Sequence, residues 1–136
     1  MSRSGYIDDM DDQWSFIRWR GAVASALRGK RGQAVLREML AAMDALPEKR
    51  LVSYELEAEG SFCALGTVGQ KRGVDMKALD PEDYDTVAAK FDIATPLAQE
   101  IFWMNDEAGP WKETPEERFV RMRAWVVSNL KEPHHG

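Results

Sequence analysis

The chain has 136 residues, 44% of them hydrophobic and 30% charged, which is typical of one soluble globular domain. Its 18 basic and 23 acidic side chains leave a formal net charge of -5, which argues against a general nucleic-acid coat and a polybasic membrane binder. The single cysteine, Cys63, cannot form an internal disulfide, and no apolar stretch approaches the roughly 18 residues that span a bilayer. We therefore expect a cytoplasmic protein of one α-rich domain, residues 1–132, followed by a short tail, residues 133–136.

The first third of the chain predicts two helices joined by a short link. Apolar residues at three- and four-residue spacing predict helices over 12–28 and 31–46. Gly29 and Pro47 follow these stretches, and both residue types commonly end helices. The first predicted stripe consists of Phe16, Trp19, Val23, Ala26 and Leu27. Because the link is so short, we expect the two helices to pack as a helical hairpin.

The middle of the chain, residues 51–73, has a different pattern. Polar and apolar residues alternate over 51–59, and an apolar run over 62–65 follows Gly60 and Ser61. Since the stretch 55–59 also contains good helix formers, the pattern fits either a strand pair or a loosely wound helix followed by a glycine-rich loop. We favour a short β-hairpin.

The last third of the chain carries three helix-start signals. Asp80 and Thr95 each precede a proline, and Thr114 with Glu117 forms the pattern of a capping box. The predicted helices cover residues 81–91, 96–105 and 115–131. The predicted fold is therefore mainly α (α+β), a five-helix single domain with a small β-hairpin or glycine-rich insert around residues 51–73.

The strongest local feature is a run of positive charge over residues 17–37, which contains six basic residues and no acid. Because Lys30 and Arg31 join two predicted helices, the backbone N–H groups at the start of the second helix are expected to face the same place. This arrangement suits an anion or an acidic partner surface, whereas the alternative is a solvated loop that offsets acidic neighbours. The candidate binding residues are Arg18, Arg20, Arg28, Lys30 and Arg31.

Residues 84–103 resemble a helix-turn-helix, with a small residue in the first helix, a tight turn and a branched residue before the second. The second helix, the expected reader of DNA, has no Arg or Lys, and Asp92 stands where glycine is usual. An acidic reader helix is a poor match to phosphate-lined DNA. Two packed helices with the same turn geometry explain this pattern better.

Five tryptophans are a high count for this length. Trp14, Trp103 and Trp111 fall off or beside the predicted apolar stripes. Exposed tryptophans are frequent anchors of protein interfaces, so these three are candidate anchors. The alternative is that they close gaps in a small core.

Catalysis finds little support in the sequence. The only histidines, His134 and His135, are adjacent in the tail, so schemes that need a histidine base lack one in the folded body. Cys63 lies in an apolar run, where a thiol is usually buried and inert. We expect no enzyme activity, no cofactor and no metal site.

Five segments carry a resemblance to a family of small uncharacterised proteins from phages and prophages of proteobacteria. They are Ile17–Val23, Arg28–Gln33, Leu79–Asp83, Met104–Glu107 and Thr114–Arg118. The resemblance covers nearly the whole chain and implies a phage-associated, cytoplasmic accessory protein. It transfers no catalytic residue.

The sequence thus predicts a non-enzymatic phage-type accessory protein that binds a host or phage macromolecule. Such a protein would act as a regulator or inhibitor, for example of a host defence. The expected partner is a protein, and no membrane is involved. The alternative is a nucleic-acid-binding module that uses the basic 17–37 segment or a degenerate helix-turn-helix at 84–103.

Overall fold

The computed structural model describes residues 3–4 and 13–131, with residues 13–14 described by their backbone alone. Over this part of the chain the fold is mainly helical, with one small antiparallel hairpin, which confirms the predicted fold class. The elements are α1 (Gln13–Arg28), α2 (Lys30–Asp44), β1 (Glu57–Ala58), β2 (Ser61–Phe62), α3 (Ala64–Arg72), α4 (Tyr84–Phe91), α5 (Thr95–Asp106) and α6 (Pro115–Asn129). The predicted start of the first helix at Asp12 and the tail 133–136 lie outside the described residues.

Helices α1 and α2 meet at a tight corner, because Gly29 alone separates them. Gly32, in the first turn of α2, lies against the end of α1, where a Cβ atom would stand only 1.8 Å from the carbonyl oxygen of Ala26. Any side chain at this position would therefore force the two helices apart.

The insert around 51–73 contains both a hairpin and a helix. Strands β1 and β2 pair in the register Glu57 with Phe62 and Ala58 with Ser61, and the turn between them has two residues at positive φ, Glu59 and Gly60. This is the backbone geometry of a tight two-residue hairpin turn.

Helix α3 follows the hairpin directly and raises the helix count of the described chain from the predicted five to six. Its glycines allow close packing rather than forming a loop. A Cβ at Gly66 would lie 1.9 Å from the carbonyl oxygen of Leu56, and one at Gly69 would lie 2.7 Å from the Sδ of Met76. Sequence periodicity cannot distinguish a glycine that allows close helix packing from a glycine in a loop. The sequence pattern therefore did not distinguish this helix from a glycine-rich loop.

The third predicted helix, over 81–91 with Asp80 before its first residue, corresponds to α4, and its predicted start is wrong by three residues. Helix α4 begins at Tyr84, and its N-cap is Asp83, whose carboxylate accepts the Thr86 N–H at 3.2 Å. Asp80 instead accepts the Glu82 N–H in the preceding turn. Asp80 and Asp83 can both act as N-caps, and Asp83, which directly precedes the helical residues, is the one that does so.

The capping box of α6 forms as predicted. Thr114 Oγ1 accepts the Glu117 N–H at 3.1 Å, and the Glu117 carboxylate accepts the Thr114 N–H at 2.8 Å. Two of the N–H groups that every helix start leaves unpaired are thereby satisfied.

Helix α5 is the centre of the molecule and contacts α1, α3, α4 and α6. Every residue of α5 is buried or half-buried. The predicted α1 stripe is correct for Val23, which is fully buried, but Phe16 is 47% exposed, because part of this face of α1 stays at the surface.

Candidate functional site

Three basic side chains cluster at the junction of α1 and α2. Arg28 ends α1, Lys30 and Arg31 begin α2, and all three are exposed. We call this cluster the basic corner. Over the part of the chain that the structure describes, no carboxylate forms an ion pair with Arg28 or Lys30.

The basic corner is held in place by Gln33, a buried polar residue one turn into α2. Its Nε2 donates to the carbonyl oxygens of Leu27 at 2.7 Å and Asn129 at 2.9 Å, and its Oε1 accepts the Lys131 N–H at 2.9 Å. One side chain thus ties the end of α1 and the end of α6 to α2. Sequence reasoning missed Gln33, because its partners lie up to 98 positions away.

The start of α2 carries positive potential from two sources. The N-cap residue Gly29 offers no side chain to the first turn, and that turn contains no acidic residue. The helix dipole places a partial positive charge at this end, and the cations Lys30 and Arg31 stand on the same turn. Helix starts usually carry acidic residues, whereas this one carries two cations that are repelled by the positive end of the helix dipole. A bound carboxylate or phosphate would offset this repulsion.

Two recesses flank Arg31. The larger, about 540 Å³, is lined in part by Ala22, Ala94 and Pro96, and the smaller, about 200 Å³, in part by Val35 and Phe91. Lys30 and Arg31 line both recesses. A ligand at this place would meet cations and small apolar surfaces together.

One acid stands at the rim of the corner. Asp92 pairs with Arg31 at 3.2 Å, but the two side chains are 79% and 61% exposed. Asp92 occupies the left-handed turn between α4 and α5, at φ 58°. Because an exposed ion pair contributes little free energy, a partner's carboxylate can compete for Arg31.

The other two candidate cations do not belong to the corner. Arg20 forms a forked contact with the buried carboxylate of Glu100, at 3.0 and 3.4 Å, and lies over the Trp19 ring. Arg18 is exposed but stands ten positions before Arg28, about 15 Å along the axis of α1. The structure therefore brings together three of the five candidate residues.

The three candidate tryptophans have different surroundings. Trp111 is 94% exposed in the loop between α5 and α6, whereas Trp103 is half-buried on α5. The side chain of Trp14 lies outside the described residues. Trp111 precedes the start of α6, whereas Gln33, which lies beside the basic corner, contacts the end of that helix, about 22 Å away along its axis. It is therefore a separate surface feature.

The helix-turn-helix pattern corresponds to two tightly joined helices, α4 and α5. A recognition helix must present one face to the DNA groove. No residue of α5 is fully exposed, since each is buried or half-buried.

Within residues 3–4 and 13–131, no group of three or more His, Cys, Asp or Glu side chains could hold a metal ion. Cys63 is buried and caps α3, where its Sγ accepts the Gly66 N–H at 3.3 Å. No helix in this part of the chain is both long and apolar enough to cross a membrane.

Known proteins offer no guide to this surface, since no family model, no curated protein and no solved structure matches the chain. The basic corner remains the surface where exposed cations, an uncapped helix start and recesses coincide. The function is therefore argued from its chemistry.

Proposed function

We propose that this protein is a non-enzymatic binding protein whose basic corner docks an acidic surface of a partner protein. One observation carries the proposal: Lys30 and Arg31 stand between two recesses at the uncapped start of α2. The cations and the backbone N–H groups there can bind the same carboxylate. The cations attract it by charge, and the hydrogen bonds fix its orientation.

The nature of the recesses favours a protein over a nucleic acid. Nucleic-acid surfaces need an extended surplus of Lys and Arg that follows the phosphate backbone. Here three cations cluster, Asp92 stands beside them, and apolar residues form part of the lining of both recesses. An acidic segment with small apolar side chains fits this combination, because its carboxylates meet the cations and its apolar groups fill the recesses.

The biological setting of this proposal comes from the resemblance to phage and prophage proteins. In that setting the partner is a host or phage protein, and the role is that of a regulator or an inhibitor, for example of a host defence. Binding by a local patch fits such a role, because the net charge of -5 gives the protein as a whole no attraction for an acidic partner. Docking then depends on a local cluster of cations such as the basic corner.

The test is affinity capture from a proteobacterial lysate, with the bound proteins identified and quantified by mass spectrometry. The variant K30E/R31E reverses the charge of the corner, and K77E/K112E reverses two exposed lysines elsewhere as the matched control. We expect a specific protein to bind the wild type and the control, and to bind K30E/R31E about tenfold more weakly or worse, since contacts to charged groups dominate this surface.

The same variants separate the nucleic-acid alternative. Mobility shift of double-stranded DNA at low and high salt would show a steep loss of affinity with salt if phosphates were the ligand. We expect no shift that depends on Lys30 and Arg31. A set of captured proteins that K30E/R31E leaves unchanged would contradict the proposal.

A further inference from the structure

A buried arginine lies at the opposite end of α5 from the basic corner. The side chain of Arg3 is fully buried, and Asp106, its partner, is 2% exposed. Arg3 Nε donates to Asp106 Oδ2 at 2.5 Å and Nη2 donates to Oδ1 at 2.8 Å. The guanidinium carbon stands 4.2 Å from the centre of the Phe102 ring.

The recess that holds Arg3 is built by the body of the protein. Asp106 Oδ1 also accepts the Tyr54 N–H at 3.0 Å and the Asn105 Nδ2 at 2.8 Å, so the carboxylate has a fixed orientation. Asn105 is held in turn, because its Nδ2 donates to the Val52 carbonyl oxygen and its Oδ1 accepts the Ala64 N–H. These contacts leave Asp106 Oδ2 directed at the ligand.

Backbone strain supports the same site. Tyr54 has a φ of 66°, a left-handed conformation that a tyrosine rarely adopts. In this conformation its N–H donates to Asp106. Strain of this kind persists where surrounding contacts over-determine it, and such places are often ligand sites.

The chemistry of the recess suits a guanidinium group in particular. A carboxylate that accepts two parallel hydrogen bonds matches the planar fork of arginine, and the ring face of Phe102 matches its flat cation. The ammonium group of lysine has neither the fork nor the plane. The recess therefore discriminates by shape as well as by charge.

We propose that this recess is an arginine-binding site that the chain fills with its own Arg3, and that an arginine of a separate peptide can take its place. Arg3 and Ser4 lie in neither a helix nor a strand, and side-chain contacts to Asp106 and Glu107 join them to the body of the protein. The fit of Arg3 is also incomplete, because its Nη1 is buried and no residue that the structure describes accepts a hydrogen bond from it. A peptide that supplies an acceptor for this donor would gain an interaction that Arg3 lacks.

The inference goes beyond the proposed function, because the two surfaces lie at opposite ends of α5, about 16 Å apart along its axis. The basic corner takes an acidic ligand, whereas the recess takes a cationic one. Their tests use different variants, so either can fail without the other.

The direct test empties the recess in the full chain with the substitution Arg3→Ala. N-acetyl-arginine amide is the probe, N-acetyl-lysine amide is the matched control, and calorimetry with thermal shift measures binding. We expect R3A to prefer the arginine compound by about tenfold or more, and the wild type to bind it at least about tenfold more weakly than R3A does, because Arg3 competes for the site. R3A/D106N should lose this preference. Equal binding by R3A and the wild type, or a folded R3A without preference, would overturn the proposal.

A second test does not depend on the folding of R3A. Trypsin cleaves after arginine, so the bond between Arg3 and Ser4 reports whether the recess holds Arg3. Loss of residues 1–3, followed by mass spectrometry, should be at least about tenfold faster in D106N than in the wild type, since cleavage needs the released form. Equal rates in the two proteins would show that Asp106 does not retain Arg3 and would refute the assignment.

Discussion

At the scale of single residues, the arginines show how one side chain serves different purposes. Arg31 remains exposed at the basic corner, whereas Arg20, from the same basic run, neutralises the buried carboxylate of Glu100. A buried acid without a partner is costly, so the second role concerns stability rather than binding. Arg18 stands two positions from Arg20 and has no such acid.

We expect Arg20→Ala to lower the free energy of unfolding by about 1–3 kcal/mol, because Glu100 loses a forked partner. Arg18→Ala on the same helix is the matched control and should change stability by less than about 0.5 kcal/mol. Urea denaturation followed by circular dichroism measures both values. Equal effects of the two substitutions would contradict the distinction drawn between them.

At the scale of secondary-structure elements, glycines determine how closely the helices approach. Gly32 allows α2 to lie against the end of α1, and Gly66 allows α3 to lie against Leu56. Gly21, within α1, has no heavy atom near the place of a Cβ. All three glycines have helical backbone conformations, and they differ only in how close the neighbouring atoms lie.

Substitution by alanine is expected to change the free energy of unfolding in opposite directions at Gly32 and Gly21. Gly32→Ala should destabilise the protein by about 1–3 kcal/mol or more, because the new methyl group meets backbone that must shift. Gly21→Ala should stabilise it by about 0.5–1 kcal/mol, since alanine is the better helix former. Thermal and urea unfolding distinguish the two outcomes. Stabilisation by both substitutions would mean that the corner is more open than described.

At the scale of the whole molecule, two surface ion pairs connect α2 to its neighbours. Glu38 accepts two hydrogen bonds from Arg72 of α3, and Asp44 accepts two from Arg123 of α6. Hydrogen bonds from the arginine are the largest influence on each acid, and they lower the pKa of Glu38 and of Asp44 below the ordinary values of 4.5 and 3.8. Both pairs help to hold the helices together.

These lowered pKa values predict how stability depends on pH. A carboxyl group whose pKa is lower in the folded state contributes stability above its unfolded pKa and loses that contribution as the pH falls through its folded value. We therefore expect E38Q/D44N to be less stable than the wild type at pH 7, and the difference to shrink from about pH 4.5 downward. Urea unfolding between pH 7 and pH 3 measures it. A difference that stays constant with pH would contradict the assigned ion pairs.

Local features of the fold could be predicted from the sequence because their causes are local. The capping box of Thr114 and Glu117 involves two residues three positions apart, and the apolar stripes of the helices follow from a fixed period. Where two local signals competed, as at Asp80 and Asp83, the boundary was misplaced. Helix α3 was hidden because its glycines resemble loop residues until their neighbours are known.

The sequence by itself determined the helical class, the capping box of the last helix and the presence of a basic run. Only the tertiary structure decided which of those cations share a surface, because the choice depends on residues far along the chain. Glu100 lies 80 positions from Arg20 and neutralises it. Outside the run, Asp106 pairs in the same way with Arg3, which lies 103 positions away. Arg28, Lys30 and Arg31 remain together at the surface, since none of the buried acids in the described part of the chain pairs with them.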